Sequence, residues 1–140
     1  MINMSKTMSI VLASGTIDKI AAAGVITSGA VANGVDVNIF VTFWALMKFR
    51  KHDDTVNKLS YDGSEISSFV MKKMAEKHIQ SGIEMIRNAK EVGNVHVYGC
   101  ALMADVMDIK KDDLDPIIED IIGVGEFVSM TEESYTTIFI

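Results

Sequence analysis

MSIVLASGTIDKIAAAGVITSGAVANGVDVNIFV, residues 8–41, is the stretch that decides the fold. Met8 to Ala13 is a short apolar run closed by Ser14-Gly15-Thr16, which reads as a buried strand. Ile17 to Ala32 is rich in alanine and follows Ser14 or Thr16, either of which can cap the first free amides of a helix. Asn33-Gly34 supplies a residue able to adopt the left-handed conformation that ends a helix. Val35 to Val41 is then a second strand, β-branched at most positions. Strand, helix and strand in this space form a βαβ unit, whose right-handed crossover makes the two strands parallel.

Outward from that unit the pattern continues. Ala45 to Lys51 reads as a short helix, and the polar segment from His52 to Gly63 as a surface loop. Residues 64–92 carry helical spacing at Ile66, Phe69, Val70 and Met74. A capping box at Ser81 and Glu84 divides them into two helices. Val95 to Gly99 is a third strand, and Ala101 to Met107 a helix. Residues 116–122 suit either structure, since Pro116 can open a helix while the isoleucine pairs serve a strand equally well. Val124, Phe127 and Val128 mark a last helix, and Tyr135 to Ile140 a last strand. The expectation is one α/β domain over residues 1–140, three layers deep, with a parallel sheet of about five strands between helices.

Composition bounds the function. The chain has 140 residues, 19 acidic against 13 basic, and a net charge of −6. With no basic cluster to displace counterions, nucleic acid is not an expected partner. A single cysteine forms no internal disulfide, and no CxxC pair offers a zinc site. The N-terminal residues lack the features of a secretory signal, so the expected location is cytoplasmic. The apolar stretch from Ile20 to Phe49 is interrupted by Asn33-Gly34 and Asp36, so membrane contact is at most peripheral. The Ile17–Ala32 helix is apolar nearly all round, which points to a homo-oligomer with Val25, Ile26 or Trp44 and Phe49 in the contact.

Ligands of open α/β sheets bind outside the carboxyl ends of the strands. Three loops meet that description: Ser14-Gly15-Thr16, Thr42-Phe43-Trp44 and Gly99-Cys100-Ala101. Cys100 stands at the start of the following helix, where amide donors and the helix dipole favour a thiolate. Read blandly, it is a small buried hydrophobe. Phe43 and Trp44 are core or interface aromatics, or walls of a pocket beside Cys100. His96 and Tyr98 share one sheet face and read as packing residues. Met103, one turn beyond Cys100, belongs to a methionine-rich set that fills cores or faces partners. No nucleotide-binding or metalloprotease motif is present, so no cofactor or metal is expected.

Ser14-Gly15-Thr16-Ile17-Asp18-Lys19, the helix ending Ala32-Asn33-Gly34, and Val41-Thr42-Phe43-Trp44-Ala45-Leu46 together resemble the peroxiredoxin-like branch of the DsrE/DsrF sulfur-relay family. The cysteine segment Cys100-Ala101-Leu102-Met103-Ala104-Asp105 and the later Gly123-Val124-Gly125-Glu126-Phe127-Val128 are also similar. Ala45 and Asp108 stand where the family commonly has glycine. The resemblance implies a DsrE/DsrF-like fold and an oligomer. It also implies a sulfurtransferase-like carrier that holds sulfane sulfur on Cys100 as a persulfide or thiosulfonate. A rhodanese-like donor or a small TusA-like carrier protein would be its partner. With no second cysteine, transfer has to be intermolecular. The rival reading is a module binding a small ligand or anion in the strand-end crevice, or a non-catalytic interaction subunit, with Cys100 merely packed. In either reading Ser14, Gly15, Thr16, Thr42, Phe43, Trp44 and Met103 are the pocket or partner-facing candidates.

Overall fold

A computed structural model describes residues 5–53, 55 and 57–140. Among the described residues there are five strands: β1 (Thr7–Leu12), β2 (Asp36–Val41), β3 (Val95–Cys100), β4 (Ile118–Ile122) and β5 (Thr136–Phe139). They form one sheet in the order β4-β3-β2-β1-β5, and every neighbouring pair is parallel. The helices are α1 (Ile17–Ala32), α2 (Phe43–Lys48), α3 (Ser67–Glu76), α4 (Gly82–Val92), α5 (Ala101–Val106) and α6 (Val124–Thr131). Among the described residues no helix is long and apolar enough to cross a membrane.

Strand alternation assigns the two faces of the sheet. Ile10, Leu12, Val37, Ile39, Val41, Val95 and Val97 share one face and are buried under α1 and α4, which pack side by side. The opposite face carries Val11, Phe40, Tyr98 and Cys100, and α6 lies over it with Phe127 stacked on Phe40 at 4.8 Å between ring centroids. The three-layer α/β arrangement is as the hydrophobic pattern requires.

Several local expectations shift. The second helix begins at Phe43, two residues before the Ala45 start, with Thr42 as its N-cap and Phe43 in the left-handed region at φ 43°. Residues 116–122 resolve into a turn and β4. Asp115 accepts a hydrogen bond from the Ile117 amide at 3.0 Å, which turns the chain two residues on and feeds it into the sheet. Thr16 is the N-cap residue of α1 but its side chain makes no capping bond. The Ile17 amide donates instead to the Lys58 carbonyl at 2.7 Å. Ser81 does cap α4, accepting from the Glu84 amide at 3.2 Å, while the Glu84 carboxylate is held by Arg87.

The apolar surface of α1 is covered within the chain, because α4 lies along it. Gly24 and Gly82 permit this approach: a Cβ on Gly82 would lie 2.2 Å from the Ile20 carbonyl oxygen, and one on Gly24 2.8 Å from the Gly82 oxygen. Phe49 is fully buried in the core and is not available to a partner, whereas Val25 and Trp44 remain exposed.

Candidate functional site

Cys100 is the last residue of β3 and the N-cap of α5, with an extended backbone (φ −74°, ψ 121°). Its side chain belongs to the sheet face that α6 covers, in line with Tyr98 and His96 below it. Val41 pairs with Gly99, so Thr42 follows β2 at the level where Cys100 ends β3. Cys100 as a residue is 5 % exposed, and its sulfur is bonded to no other sulfur. The helix that follows has only six residues.

Between this sheet face and α6 lies a cavity of about 530 Å³, and Cys100 is on its wall. Val11, Phe40, Phe43, Leu102, Val124, Phe127 and Val128 make the lining almost wholly apolar; its polar groups are the hydroxyls of Thr42, Thr131 and Thr137. Phe43, Leu102, Val106, Val124 and Val128 are exposed around the same end of the molecule. A sulfur atom on Cys100 would therefore sit in a water-poor pocket whose rim is apolar.

The predicted site residues divide between two places. Thr42 and Phe43 join Cys100 at this cavity. Ser14, Gly15, Thr16 and Trp44 line a separate cavity of about 380 Å³, with no lining residue in common. Met103 is buried in the core and lines neither. Phe43 and Trp44 part company at the start of α2, where Phe43 has a positive φ of 43°. Of the two, only Phe43 stands beside the cysteine.

Residues that the sequence left out complete the Cys100 cavity. Val124, Phe127, Val128 and Thr131 come from α6, and Thr137 from β5, both distant in sequence from the cysteine. Their signal was the apolar spacing of 124, 127 and 128, which marks a helix but not its neighbour.

Below the cavity the same face turns polar. Glu119 accepts from Lys90 and from His96 Nδ1, the latter at 2.9 Å, and the His96 and Tyr98 rings stack at 6.4 Å. Burial raises the Glu119 pKa, but the hydrogen bonds from Lys90 and His96 outweigh it and the net shift is downward. Burial pushes the Tyr98 hydroxyl upward, with the Glu119, Glu126 and Asp120 charges adding to it, so the phenol remains protonated at neutral pH. His96 and Tyr98 are thus held by their neighbours and line neither cavity.

A model of the DsrE/DsrF/DrsH-like family matches residues 4–66 and 58–139. The Bacillus subtilis (strain 168) protein YrkE, itself uncharacterised, is 28% identical over 163 residues, covering 100% of both chains. Among solved structures, YchN of E. coli superposes with a TM-score of 0.60 at 13% identity, covering 98% of this chain and 100% of its own. MTH1491 of Methanobacterium thermoautotrophicum gives 0.50 at 12% identity, covering 96% and 99%. At those identities the two structures speak to the fold alone.

Proposed function

The chain belongs to the DsrE/DsrF/DrsH-like family, which supports a role related to sulfur relay, and from that premise we propose that it carries sulfane sulfur on Cys100. The observation behind the proposal is the position of its one cysteine. Cys100 ends a central strand at the carboxyl edge of the sheet and opens onto an apolar cavity large enough for a small sulfur donor. Apolar walls keep water from a bound persulfide, while the open rim leaves a path for a second thiol.

The chemistry balances without an external oxidant. The Cys100 thiolate attacks the outer sulfur of a donor persulfide, R–S–SH; the S–S bond breaks, R–S⁻ leaves, and Cys100 is left as Cys–S–SH. Tetrathionate reacts in the same sense: attack on an inner sulfur forms Cys–S–S–SO₃⁻ and releases thiosulfate. Unloading reverses the roles, since an acceptor thiolate attacks the outer sulfur and the Cys100 thiolate departs. With one cysteine in the chain, that acceptor is a small thiol or another protein, of which a TusA-like carrier is the kind implied.

Intact-mass spectrometry tests the proposal directly. Incubation with a persulfide donor or tetrathionate should add one sulfur-containing group, removable by dithiothreitol, to the wild type and none to Cys100→Ser. If native protein refuses every donor while unfolded protein is alkylated readily, Cys100 is a packing residue and the relay reading falls.

A further inference from the structure

The second cavity, about 380 Å³, lies where β1 runs out into Ser14-Gly15-Thr16 and is closed by α2 and by the segment leading to Tyr61. That volume is within the usual range for small-molecule sites, roughly 300–1,000 Å³. Its position also suits a ligand. The cavity lies outside the carboxyl end of β1, between the segments that follow β1 and β2, on the side of the sheet where ligands of open α/β folds bind.

Its walls combine two kinds of group. Lys19 and Lys58 both line the cavity, and neither makes an ion pair among the described residues, although the chain as a whole is acidic. The third lysine there, Lys48, is bound to Asp53 at 3.2 Å, so its charge is already answered. Two aromatic side chains, Trp44 and Tyr61, line the same cavity and are 68 % and 89 % exposed. Two lysines without an ion pair among the described residues and two largely exposed rings thus line one cavity.

The frame around them is fixed. Asp18 accepts from the Ser60 amide at 2.8 Å and from the Ser60 hydroxyl at 2.6 Å, and the Lys58 carbonyl accepts from the Ile17 amide. Those bonds pin to α1 the segment that carries both Lys58 and Tyr61. On the other wall Gly15 allows the Trp44 backbone to seat against it, since a Cβ there would lie 2.6 Å from the Trp44 oxygen.

We propose that this cavity is a second site, independent of Cys100, that binds a small organic anion built on a planar aromatic ring. The ring would stack against Trp44 or Tyr61, and the anionic group would meet Lys19 and Lys58. Mononucleotides and aromatic carboxylates share this chemistry, and the test separates them.

The chain contains one tryptophan, Trp44, so its indole N–H gives a single resonance that reports on the site. Full-length Cys100→Ser protein, in which sulfur loading plays no part, is titrated with AMP, salicylate, adenosine and inorganic phosphate. Saturable shifts of the indole signal are expected with AMP or salicylate, and whichever binds more tightly names the source of the anion. Adenosine, which lacks the charge, and phosphate, which lacks the ring, should bind more weakly by about tenfold or more. A Lys19→Ala/Lys58→Ala variant, checked for an unchanged unfolding midpoint, should lose about tenfold in affinity for the better ligand. Absence of saturation with both AMP and salicylate up to about 10 mM, a regime of only a few kcal/mol of binding, overturns the proposal. Equal binding of adenosine, or an affinity unmoved in the lysine variant, overturns it as well.

Discussion

Asp108 has φ 53°, inside the left-handed region that glycine enters freely and other residues enter at a cost. The sequence marked this position only as one where relatives commonly carry glycine; the backbone supplies the reason, because the chain turns sharply after α5 and before Ile109 returns to the core. Replacing Asp108 by glycine should therefore raise stability, by about 0.5–1 kcal/mol after the added freedom of the unfolded chain is allowed for. Urea unfolding checks this, and a lower midpoint for the variant would contradict it. Phe43 has the same backbone sign, φ 43°, and lines the Cys100 cavity. Cys100 itself was legible at residue scale, since strand alternation and a following helix place it at a strand end. The partition of Phe43 from Trp44 was not, because it depends on a left-handed residue that no pattern of apolar positions reveals.

At the scale of elements, the tightest contact joins α1 to α4 through Gly24 and Gly82. Gly82→Ala would push a methyl group into the backbone around Ile20, and neither helix can yield without leaving the sheet. A loss of about 3 kcal/mol is expected, at the upper end for overpacking, and denaturant unfolding measures it. A second tie runs from α4 to the turn before β4: Arg87 donates to Asp115 through both terminal nitrogens, at 2.9 and 2.7 Å. The Arg87 hydrogen bonds hold the Asp115 pKa below its ordinary value, more strongly than burial raises it. A carboxylate depressed on folding contributes stability that is complete above its unfolded value, about 3.9, and is lost as pH falls through the lower folded value. Unfolding midpoints measured from neutral pH downward should fall less steeply in Asp115→Asn than in the wild type, and identical acid limbs would remove the pair from the account. The existence of α1, α3 and α4 was readable from helical spacing and the Ser81 cap, and β1, β2 and β3 from apolar runs. β4 was not, because Ile117-Ile118 and Ile121-Ile122 suit a helix face or a strand alike until Asp115 fixes the turn before them.

For the whole molecule, the exposed apolar residues do not gather on α1, where the sequence suggested a subunit contact. Phe43, Leu102, Val106, Val124 and Val128 cluster instead with the elements bounding the Cys100 cavity. Contiguous apolar surface of this kind marks association, so light scattering at micromolar concentration should give a multiple of 15.3 kDa. A Val124→Glu/Val128→Glu variant should lower that mass, whereas a wild type stable as one chain on dilution would contradict the oligomer. The sheet order has a further consequence, which is kinetic. β1 meets β2 across a single helix, but it meets β5, Met8 against Thr136, only after almost the whole chain has been gathered. The loop that must close for this last pairing is the longest in the molecule, and parallel pairings between distant segments form late. A barrier crossed before β5 docks leaves that strand out of the folding nucleus. Ile138→Ala should accordingly speed unfolding while changing the refolding rate by less than about twofold, and stopped-flow chevrons would show the sheet zipping outward from β1 and β2, with its far edge the last to close and the first to open.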